Sequence, residues 1–307
     1  MQITASMVKE LRDISGAGMS ACKKALVEAN GDIKRATEIL REKGLAAAAK
    51  KAGRIAAEGL VATAISDCGK KGAIVEVNSE TDFVAKNEDF IAFVKQIAFE
   101  ALNSDAQTVD ALLQYAWTPD PAQTVKDVLT NKIATIGENI GVRRFAKYDS
   151  QNLIVDYIHG GGRIGVMLEI TAGDMNDGVY EAGRNICMQI AAMNPQYLDR
   201  DAVPADYLAK EKEILTQQAN NENAESAKPK PAQVIEKMVE GRLSKHLRDV
   251  CLLDQEYVKD EKQTVAAYLK GIGGGAKILR FTRYEKGEGI EKKEEDFAAE
   301  VQKAMKL

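Results

Sequence analysis

Apolar residues recur every three or four positions in the first 44 residues, the spacing that lines them along one face of an α-helix. Three short helices are predicted there, with Thr4 and Asp32 placed to cap the first and the third. Gly16 and Gly44 are expected to end those same two helices. A module this small needs a neighbour or a partner for stability. Residues 45–53 are predicted to form a helical or flexible connector.

From about residue 55 the pattern changes to short apolar runs bounded by turn residues, which is typical of β-strands. The runs 59–67 and 72–78 flank a turn that contains Gly and Lys, and together they predict a hairpin. Helices are predicted at 87–102 and 124–136. A strand at 140–146 is predicted to complete the unit.

The same order of elements recurs in the second half of the chain. Strands are predicted at 153–159 and 163–170, joined by three glycines, and a helix is predicted at 180–193. A closing strand is predicted much later, at 278–284. Because the two hairpins have similar residue patterns, we predict an α+β fold whose core contains two related subdomains, each an antiparallel sheet with helices.

The second unit is interrupted between its helix and its closing strand. Residues 204–219 and 231–250 are charged and favour helices, and a segment with several Asn and Pro residues separates them. An antiparallel helical hairpin that projects from the core is therefore predicted. It would serve as a contact arm or as a dimerisation device, and the sequence leaves both open. A terminal amphipathic helix is predicted at 291–306.

Charge and composition narrow the class of protein. The net charge is −4 and no long block of one sign occurs, so a nucleic-acid-binding protein is not indicated. No apolar run approaches the roughly 20 residues that span a bilayer, and the N-terminus lacks an export signal, so we expect a cytoplasmic protein. The four cysteines are scattered and only two histidines occur, so we expect free thiols, no metal site and no hydrolase triad.

The segment 78–87, between a predicted strand and a predicted helix, contains the most informative residues. Asn, Ser, Thr and Asp are expected there, because their side chains cap the free N–H groups at the start of a helix. Phe83 is not explained in that way, since a large apolar ring stands in a polar turn beside the carboxylate of Asp82. The ring either folds back onto the core as a hydrophobic staple or projects towards another protein.

Glycine-rich segments allow a competing interpretation as an enzyme. The glycines at 160–162, next to His159, would present N–H groups to an anion, but His159 has no evident acid or nucleophile as a companion. The segment 271–275 resembles a dinucleotide-binding loop, but it precedes a strand instead of joining a strand to a helix. A flexible turn is therefore predicted at 271–275.

Several motifs, in the same order along the chain, closely resemble the bacterial elongation factor Ts family. The likeness runs from about residue 3 to residue 302. The motifs are Ser15–Met19, Cys22–Leu26, Thr81–Lys86, Ile136–Asn139, His159–Gly161 and Glu236–Arg242. The resemblance implies a fold with a three-helix module like the ubiquitin-associated (UBA) domain, a two-part core, an inserted helical hairpin and a C-terminal helix. The matching parts are 1–52 for the module and connector, 53–148 for the first core subdomain, 149–200 with 251–286 for the second, 201–250 for the hairpin and 287–307 for the C-terminal helix.

The function that this resemblance implies is guanine-nucleotide exchange on elongation factor Tu, the GTPase that delivers aminoacyl-tRNA. Such a factor is not an enzyme and needs no cofactor. It would bind elongation factor Tu in the GDP-bound and nucleotide-free forms, without direct contact to nucleic acid or to a membrane. A non-catalytic adaptor or chaperone-like partner of a GTPase is the alternative. A homodimer through the helical hairpin is also open.

The resemblance also implies contact residues. In the family, the Asp-Phe pair of a Thr-Asp-Phe-Val motif enters the GTPase beside its nucleotide and magnesium site. In this chain the motif consists of Thr81, Asp82, Phe83 and Val84. Further implied contacts are Leu11, Met19, Lys23, Ile136, Gly137, His159 and Val258.

Three residues of the N-terminal module depart from those usual in the family: Ser15, Ser20 and Ala21. We expect the turn at Ser15 to survive, because serine still offers a hydroxyl group. The apolar footprint on the partner is expected to shrink at Ser20, where the family often has a bulky or acidic residue.

Overall fold

A computed structural model describes residues 3–173, 176–226 and 228–291. The N-terminal module consists of the helices α1 (Ala5–Ser15), α2 (Met19–Glu28) and α3 (Ile33–Lys51). As predicted, the side chains of Thr4 and Asp32 cap α1 and α3 by accepting hydrogen bonds from backbone N–H groups in the first turn. The apolar faces of the three helices meet in a small core formed by Val8, Leu11, Cys22, Ala25, Leu26, Ala29, Ala36 and Ile39.

The first half of the core is a three-stranded antiparallel sheet with helices on one face. All the helices and strands predicted for this half are present, with ends that differ by a few residues. Two further short helices, α4 (Asp82–Ala85) and α6 (Val109–Gln114), were not predicted, because segments of four and six residues are too short to show a helical period. The elements are β1 (Glu58–Ile65), β2 (Lys71–Ser79), α4 (Asp82–Ala85), α5 (Glu88–Asn103), α6 (Val109–Gln114), α7 (Val125–Ile136) and β3 (Gly141–Asp149).

The second half repeats this arrangement, with a sheet in the order β4-β5-β8. The sequence pattern did not reveal three short elements at 256–272, the strands β6 (Glu256–Tyr257) and β7 (Asp260–Thr264) and the helix α11 (Val265–Ile272). The glycines at 273–275 all have positive φ and form the turn before β8, whereas residues 271 and 272 end the preceding helix, so the turn predicted at 271–275 is confirmed only over its last three residues. The elements are β4 (Leu153–His159), β5 (Ile164–Thr171), α8 (Asp177–Met193), α9 (Ala205–Ala224), α10 (Ala232–Val250), β6 (Glu256–Tyr257), β7 (Asp260–Thr264), α11 (Val265–Ile272) and β8 (Lys277–Glu285).

The predicted helical hairpin is present as α9 and α10, inserted between α8 and β6. The two helices pack on each other through the buried side chains of Ala219 and Val239. An ion pair between Arg242 and Glu222, with 2.6 Å between its atoms, joins them at the surface. The helix predicted at 291–306 lies outside the described residues, apart from its first position.

The two sheets pack against each other, so the core has four layers: helices, sheet, sheet and helices. Glycines allow this close approach. A Cβ atom on Gly72 would lie 2.7 Å from the Ile154 side chain, and one on Gly165 would lie 2.5 Å from the Val61 side chain. Both distances are shorter than van der Waals contact, so a larger residue at either position would push the sheets apart.

Buried carboxylates occupy matching positions in the two sheets. Glu76 on β2 accepts a hydrogen bond from Arg144 on β3, and Glu169 on β5 accepts one from Arg280 on β8, both at 2.6 Å. In each sheet the strand register shifts directly after the glutamate. The same irregularity at the same place supports the prediction that the two halves are related copies.

Aromatic rings connect the two copies reciprocally. The Arg144 guanidinium of the first sheet lies 4.2 Å from the centre of the Tyr284 ring in the second. The Arg280 guanidinium of the second sheet lies 4.0 Å from the centre of the Tyr148 ring in the first. Each arginine therefore makes an ion pair within its own sheet and a cation–π contact across the interface.

The prediction that α3 ends at Gly44 is wrong, because the helix continues to Lys51. The alanine-rich sequence after Gly44 favours a helix, and this part of α3 packs against α7. A Cβ atom on Gly44 would be 3.7 Å from the side chains of Thr130 and Ala134. The second half of α3 therefore attaches the N-terminal module to the first half of the core.

Candidate functional site

Phe83 has an exposed fraction of 81%, the highest among the large hydrophobic residues in the described part of the chain. It lies in the one-turn helix α4, where Ala85 is buried and Val84 packs partly against the core. Because those two side chains face inwards, the ring of Phe83 faces solvent. Of the two interpretations of Phe83, the staple against the core is excluded.

The backbone before Phe83 is bound by the side chain of Glu138, which follows α7. One carboxylate oxygen of Glu138 accepts hydrogen bonds from the N–H groups of Glu80 and Thr81, at 3.1 and 3.0 Å. The other oxygen accepts a hydrogen bond from the Thr81 hydroxyl at 2.6 Å. In return, the Glu80 side chain accepts a hydrogen bond from the N–H of Asn139 at 2.5 Å.

Asp82, next to Phe83, forms an ion pair with Lys86 across one helical turn, at 2.6 Å. The hydrogen bond from Lys86 lowers the pKa of the Asp82 carboxyl, and the positive charge of Lys286 acts in the same direction. The carboxyl is therefore ionised at neutral pH. A carboxylate that is paired with Lys86 at the surface thus accompanies the exposed ring.

The predicted contact residues Ile136 and Gly137 lie between Phe83 and the N-terminal module. Gly137 ends α7 with φ of 88°, a conformation that favours glycine, and it is exposed. Beyond it, Glu138 binds the backbone before Phe83. On the other side, the Thr135 hydroxyl donates a hydrogen bond to the carbonyl of Gly16, in the turn between α1 and α2, at 3.5 Å. The structure therefore brings three of the predicted contact regions onto one continuous surface.

On the N-terminal module, Met19 and Lys23 are exposed on α2, as a contact surface requires. Leu11 has no exposed surface, which contradicts its assignment as a direct contact. The apolar stripe of α1 turns Leu11 into the core of the module, where it packs with the neighbouring helices. Ile14, which was not predicted as a contact, is 54% exposed on the same helix.

The turn at Ser15 is intact, as expected for a serine at this position. Its hydroxyl donates a hydrogen bond to the carbonyl of Leu11 at 2.6 Å and accepts one from the N–H of Ala17 at 3.3 Å. Gly16 ends α1 in the left-handed conformation. The hydroxyl thus orients the loop that leads to Met19.

His159 is exposed at the end of β4, where its Nδ1 lies 3.1 Å from the Tyr157 hydroxyl. The glycines at 160–162 have φ of 58°, 64° and 98°. The carbonyl of Gly162 accepts a hydrogen bond from the N–H of Val61, and a Cβ atom on Gly162 would lie 2.8 Å from the Leu60 side chain. The left-handed backbone of all three residues, and the packing of Gly162 on β1, therefore explain these glycines without an anion site.

Val258 is 41% exposed in the turn between β6 and β7. Its N–H donates a hydrogen bond to the side chain of Gln189 at 2.8 Å, and Gln189 is buried in α8. The side chain of Gln189 also donates to Gln255 and to the carbonyl of Glu256. Val258 is thus held on the outer layer of the second half, separately from the surface around Phe83.

A sequence model described as Elongation factor TS matches residues 80–288, which is more than half of the chain. The chain belongs to the elongation factor Ts family. Elongation factor Ts of Clostridioides difficile (strain 630) is 52% identical over 308 residues, covering 99% of both chains. That of Clostridium acetobutylicum is 53% identical over 99% of this chain and 98% of its own. That of Halothermothrix orenii is 51% identical over 99% of both chains.

Family membership makes this chain a translation elongation factor, and the elongation factor Ts name implies nucleotide exchange. Within the described ranges, no helix is both long and apolar enough to cross a membrane. The same ranges contain no group of three or more His, Cys, Asp or Glu side chains that would hold a metal ion. All four cysteines are free, and three of them are buried.

Glu138 lies in the motif Ile136–Asn139, but its role was not predicted from the sequence. The available signal was an acidic residue directly after the glycine that ends a predicted helix. Its partners, Glu80 and Thr81, are more than fifty residues away along the chain. Only the tertiary structure shows that the two motifs bind each other.

Proposed function

We propose that this protein binds elongation factor Tu, in its GDP-bound and nucleotide-free forms, and promotes GDP release by disturbing the magnesium and phosphate site of that GTPase. The observation that carries the proposal is the 81% exposure of Phe83 beside the ionised carboxylate of Asp82. A phenylalanine side chain gains roughly 1.5–3 kcal/mol when it is fully removed from water. In the free protein that gain is not realised, so it is available for binding a partner.

An exchange factor acts by binding the nucleotide-free GTPase more tightly than the loaded one. Linkage requires that the nucleotide and the factor weaken each other's binding by the same ratio. Insertion of Phe83 between packed side chains beside the magnesium site would displace groups that hold the ion. The carboxylate of Asp82 would add negative charge near the phosphates, whose own charge the magnesium ion neutralises.

Further contacts are proposed on both halves of the core and on the N-terminal module. They are Thr81, Val84, Met19, Lys23, Ile136, Gly137, His159 and Val258, with Leu11 supporting the module from within. Because about 1.4 kcal/mol of differential binding changes an equilibrium constant tenfold, several such contacts together account for a large acceleration of release. We propose that the protein acts in the cytoplasm, without a cofactor and without direct contact to nucleic acid.

The decisive experiment loads elongation factor Tu from the same organism with fluorescent GDP and follows its release in excess unlabelled GDP. We expect the rate of GDP release to rise with the concentration of this protein until the rate saturates. Binding without acceleration would support the adaptor or chaperone-like alternative. Absence of both binding and acceleration would overturn the proposed function.

The N-terminal module is predicted to contribute to exchange through α2. Replacing both Met19 and Lys23 by Ala is expected to lower exchange efficiency by about tenfold, because one exposed apolar contact and one charge are removed. The thermal midpoint should stay within a few degrees of the original, since both side chains are exposed. Val27→Ala on the same helix, where Val27 is 58% exposed, is the matched control. Equal exchange by the double variant and the original protein would remove α2 from the proposed interface.

Deletion of residues 1–52 extends this test, and it is expected to leave a folded core that exchanges poorly. It also removes the part of α3 that packs on α7, including the ion pair between Arg41 and Asp127. Stability of the shortened protein must therefore be measured beside its activity. Full exchange activity in the shortened protein would show that the module is not a functional contact.

The outer part of the helical hairpin is predicted to be peripheral to exchange. Replacing residues 216–231 by a short Gly-Ser link should leave both core halves intact, because the described residues of this part pack on the outer half of α10 and not on either sheet. GDP release and the mass in solution would be compared for the two versions. A lower mass with unchanged exchange would support a homodimer through the hairpin, whereas lost exchange at unchanged core stability would contradict the prediction.

A further inference from the structure

We propose that Glu138 is a positioning residue that holds the Phe83 turn in its binding-competent orientation and joins it rigidly to the neighbouring contact at Ile136 and Gly137. This inference rests on the proposed function and adds to it a residue that does not itself touch the partner. Glu138 is half-buried, behind the exposed turn, and all three of its hydrogen bonds go to the two residues that precede Asp82.

The Phe83 turn cannot hold its own shape. The helix α4 has only four residues, far fewer than an isolated helix needs to persist in water. The capping bond from the N–H of Val84 to the Thr81 hydroxyl is long, at 3.4 Å. Phe83 itself is too exposed to fix the backbone by packing. Further restraints are the inward-facing Val84 and Ala85, the hydrogen bond from the Ser79 hydroxyl to the Thr81 carbonyl, the exposed ion pair between Asp82 and Lys86, and the carboxylate of Glu138.

Glu138 fixes the turn at the point where the strand β2 has ended and α4 begins. A carboxylate that accepts two backbone N–H groups and a hydroxyl determines both the position and the direction of the chain there. The opposite hydrogen bond, from the N–H of Asn139 to the Glu80 side chain, makes the connection reciprocal. Two segments that each carry proposed contacts are therefore locked in one relative arrangement.

The same network reaches the connector to the N-terminal module. The Asn139 side chain donates a hydrogen bond to the carbonyl of Arg54 at 2.8 Å. The Arg54 guanidinium lies 3.4 Å from the Glu80 carboxylate. A contact surface that is rigid before binding loses less conformational entropy when it binds, so loosening it should weaken the complex that stimulates release.

The first core half contains a close structural match to Glu138 that serves as a control. Glu100 in α5 accepts hydrogen bonds from the N–H of Thr118 at 3.0 Å and from the Thr118 hydroxyl at 2.7 Å. It is fully buried, and it binds a loop other than the Phe83 turn. Glu100→Ala should therefore destabilise the fold at least as much as Glu138→Ala, without acting on the turn.

The test measures GDP release from elongation factor Tu, expressed per folded molecule of each variant. The variants are Glu138→Ala, Glu100→Ala, Phe83→Ala and the double variant that combines Glu138→Ala with Phe83→Ala. Glu138→Ala is expected to lower exchange efficiency about tenfold, because the Phe83 turn must then become ordered when the partner binds. Glu100→Ala should leave it unchanged. The double variant should lose clearly less than the product of the two single losses, because Glu138 acts through the turn that carries Phe83.

Amide hydrogen exchange on the free protein provides a readout that needs no partner. In Glu138→Ala the N–H groups of Glu80 and Thr81 should lose protection, while the strand β2 keeps its own. Glu138→Gln should keep part of the protection, since its amide oxygen can still accept hydrogen bonds from both N–H groups, although without the negative charge that strengthens them.

Three results would overturn the inference. They are unchanged protection of the two N–H groups in Glu138→Ala, equal losses of exchange from Glu138→Ala and Glu100→Ala, or multiplicative losses in the double variant. Failure of the original protein to accelerate GDP release would instead reject the proposed function. In that case the amide measurement still decides whether Glu138 holds the turn.

Discussion

Phe83→Ala is expected to lower the efficiency of GDP release from elongation factor Tu by about 10- to 100-fold, the equivalent of the ~1.5–3 kcal/mol that burial of a phenylalanine side chain provides. The thermal midpoint should not fall, because the ring is 81% exposed and makes little contact with the core. Both quantities are measured on the same preparation, by stopped-flow release of fluorescent GDP and by calorimetry.

Phe99→Ala is the matched control for this prediction. Phe99 lies on α5 in the same core half and is 42% exposed, so its truncation removes an apolar ring from the surface away from the Phe83 turn. It should leave exchange unchanged. If both variants exchange at the original rate, Phe83 is not the contact that drives release.

Glu76→Ala is expected to cause the largest loss of stability, about 3 kcal/mol in the free energy of unfolding. The Glu76 carboxylate has no exposed surface and accepts hydrogen bonds from the Arg143 and Arg144 guanidinium groups, at 3.0 and 2.6 Å, and from the N–H of Gly287. Its removal takes the buried acceptor from both guanidinium groups, from the Asn78 amide and from the Gly287 N–H, although Arg144 keeps its ion pair with Glu288. The two arginine side chains are about one-third exposed, so water can partly solvate them when Glu76 is removed. The expected loss of unfolding free energy is therefore near the lower end of the range for a broken buried ion pair.

Glu169→Ala is the counterpart in the second sheet and should cost less, because its partner Arg280 is 48% exposed and water can take over that contact. Urea unfolding followed by far-ultraviolet circular dichroism measures both variants. Equal losses would contradict the argument that burial of the ion pair sets its contribution. If Glu76→Ala lost less stability than Glu169→Ala, the ion pairs and hydrogen bonds around Glu76 would not be a main support of the sheet interface.

Local pattern alone predicted most of the secondary structure. Capping residues such as Thr4 and Asp32 mark helix starts because their side chains satisfy N–H groups only a few residues away. The two hairpins and the helical insertion follow from periodicity and turn residues for the same reason. The motifs around Phe83 also predicted where to look for a partner contact.

Short or irregular elements were not predictable in this way. The strands β6 and β7 and the helices α4 and α6 contain too few residues to display a period, and they are stabilised by what they pack against. The end of α3 was predicted wrongly because a glycine is a stop signal only when nothing else stabilises the helix beyond it. Here α7 does so.

The sequence by itself determined the family, the α+β class and the order of the elements, because these depend on spacings and motifs along the chain. The tertiary structure decided which side chains are available at the surface. It turned Leu11 inwards and Phe83 outwards, and it placed the carboxylate of Glu138 on N–H groups more than fifty residues away. These outcomes depend on packing and on hydrogen bonds between distant segments, which no local pattern encodes.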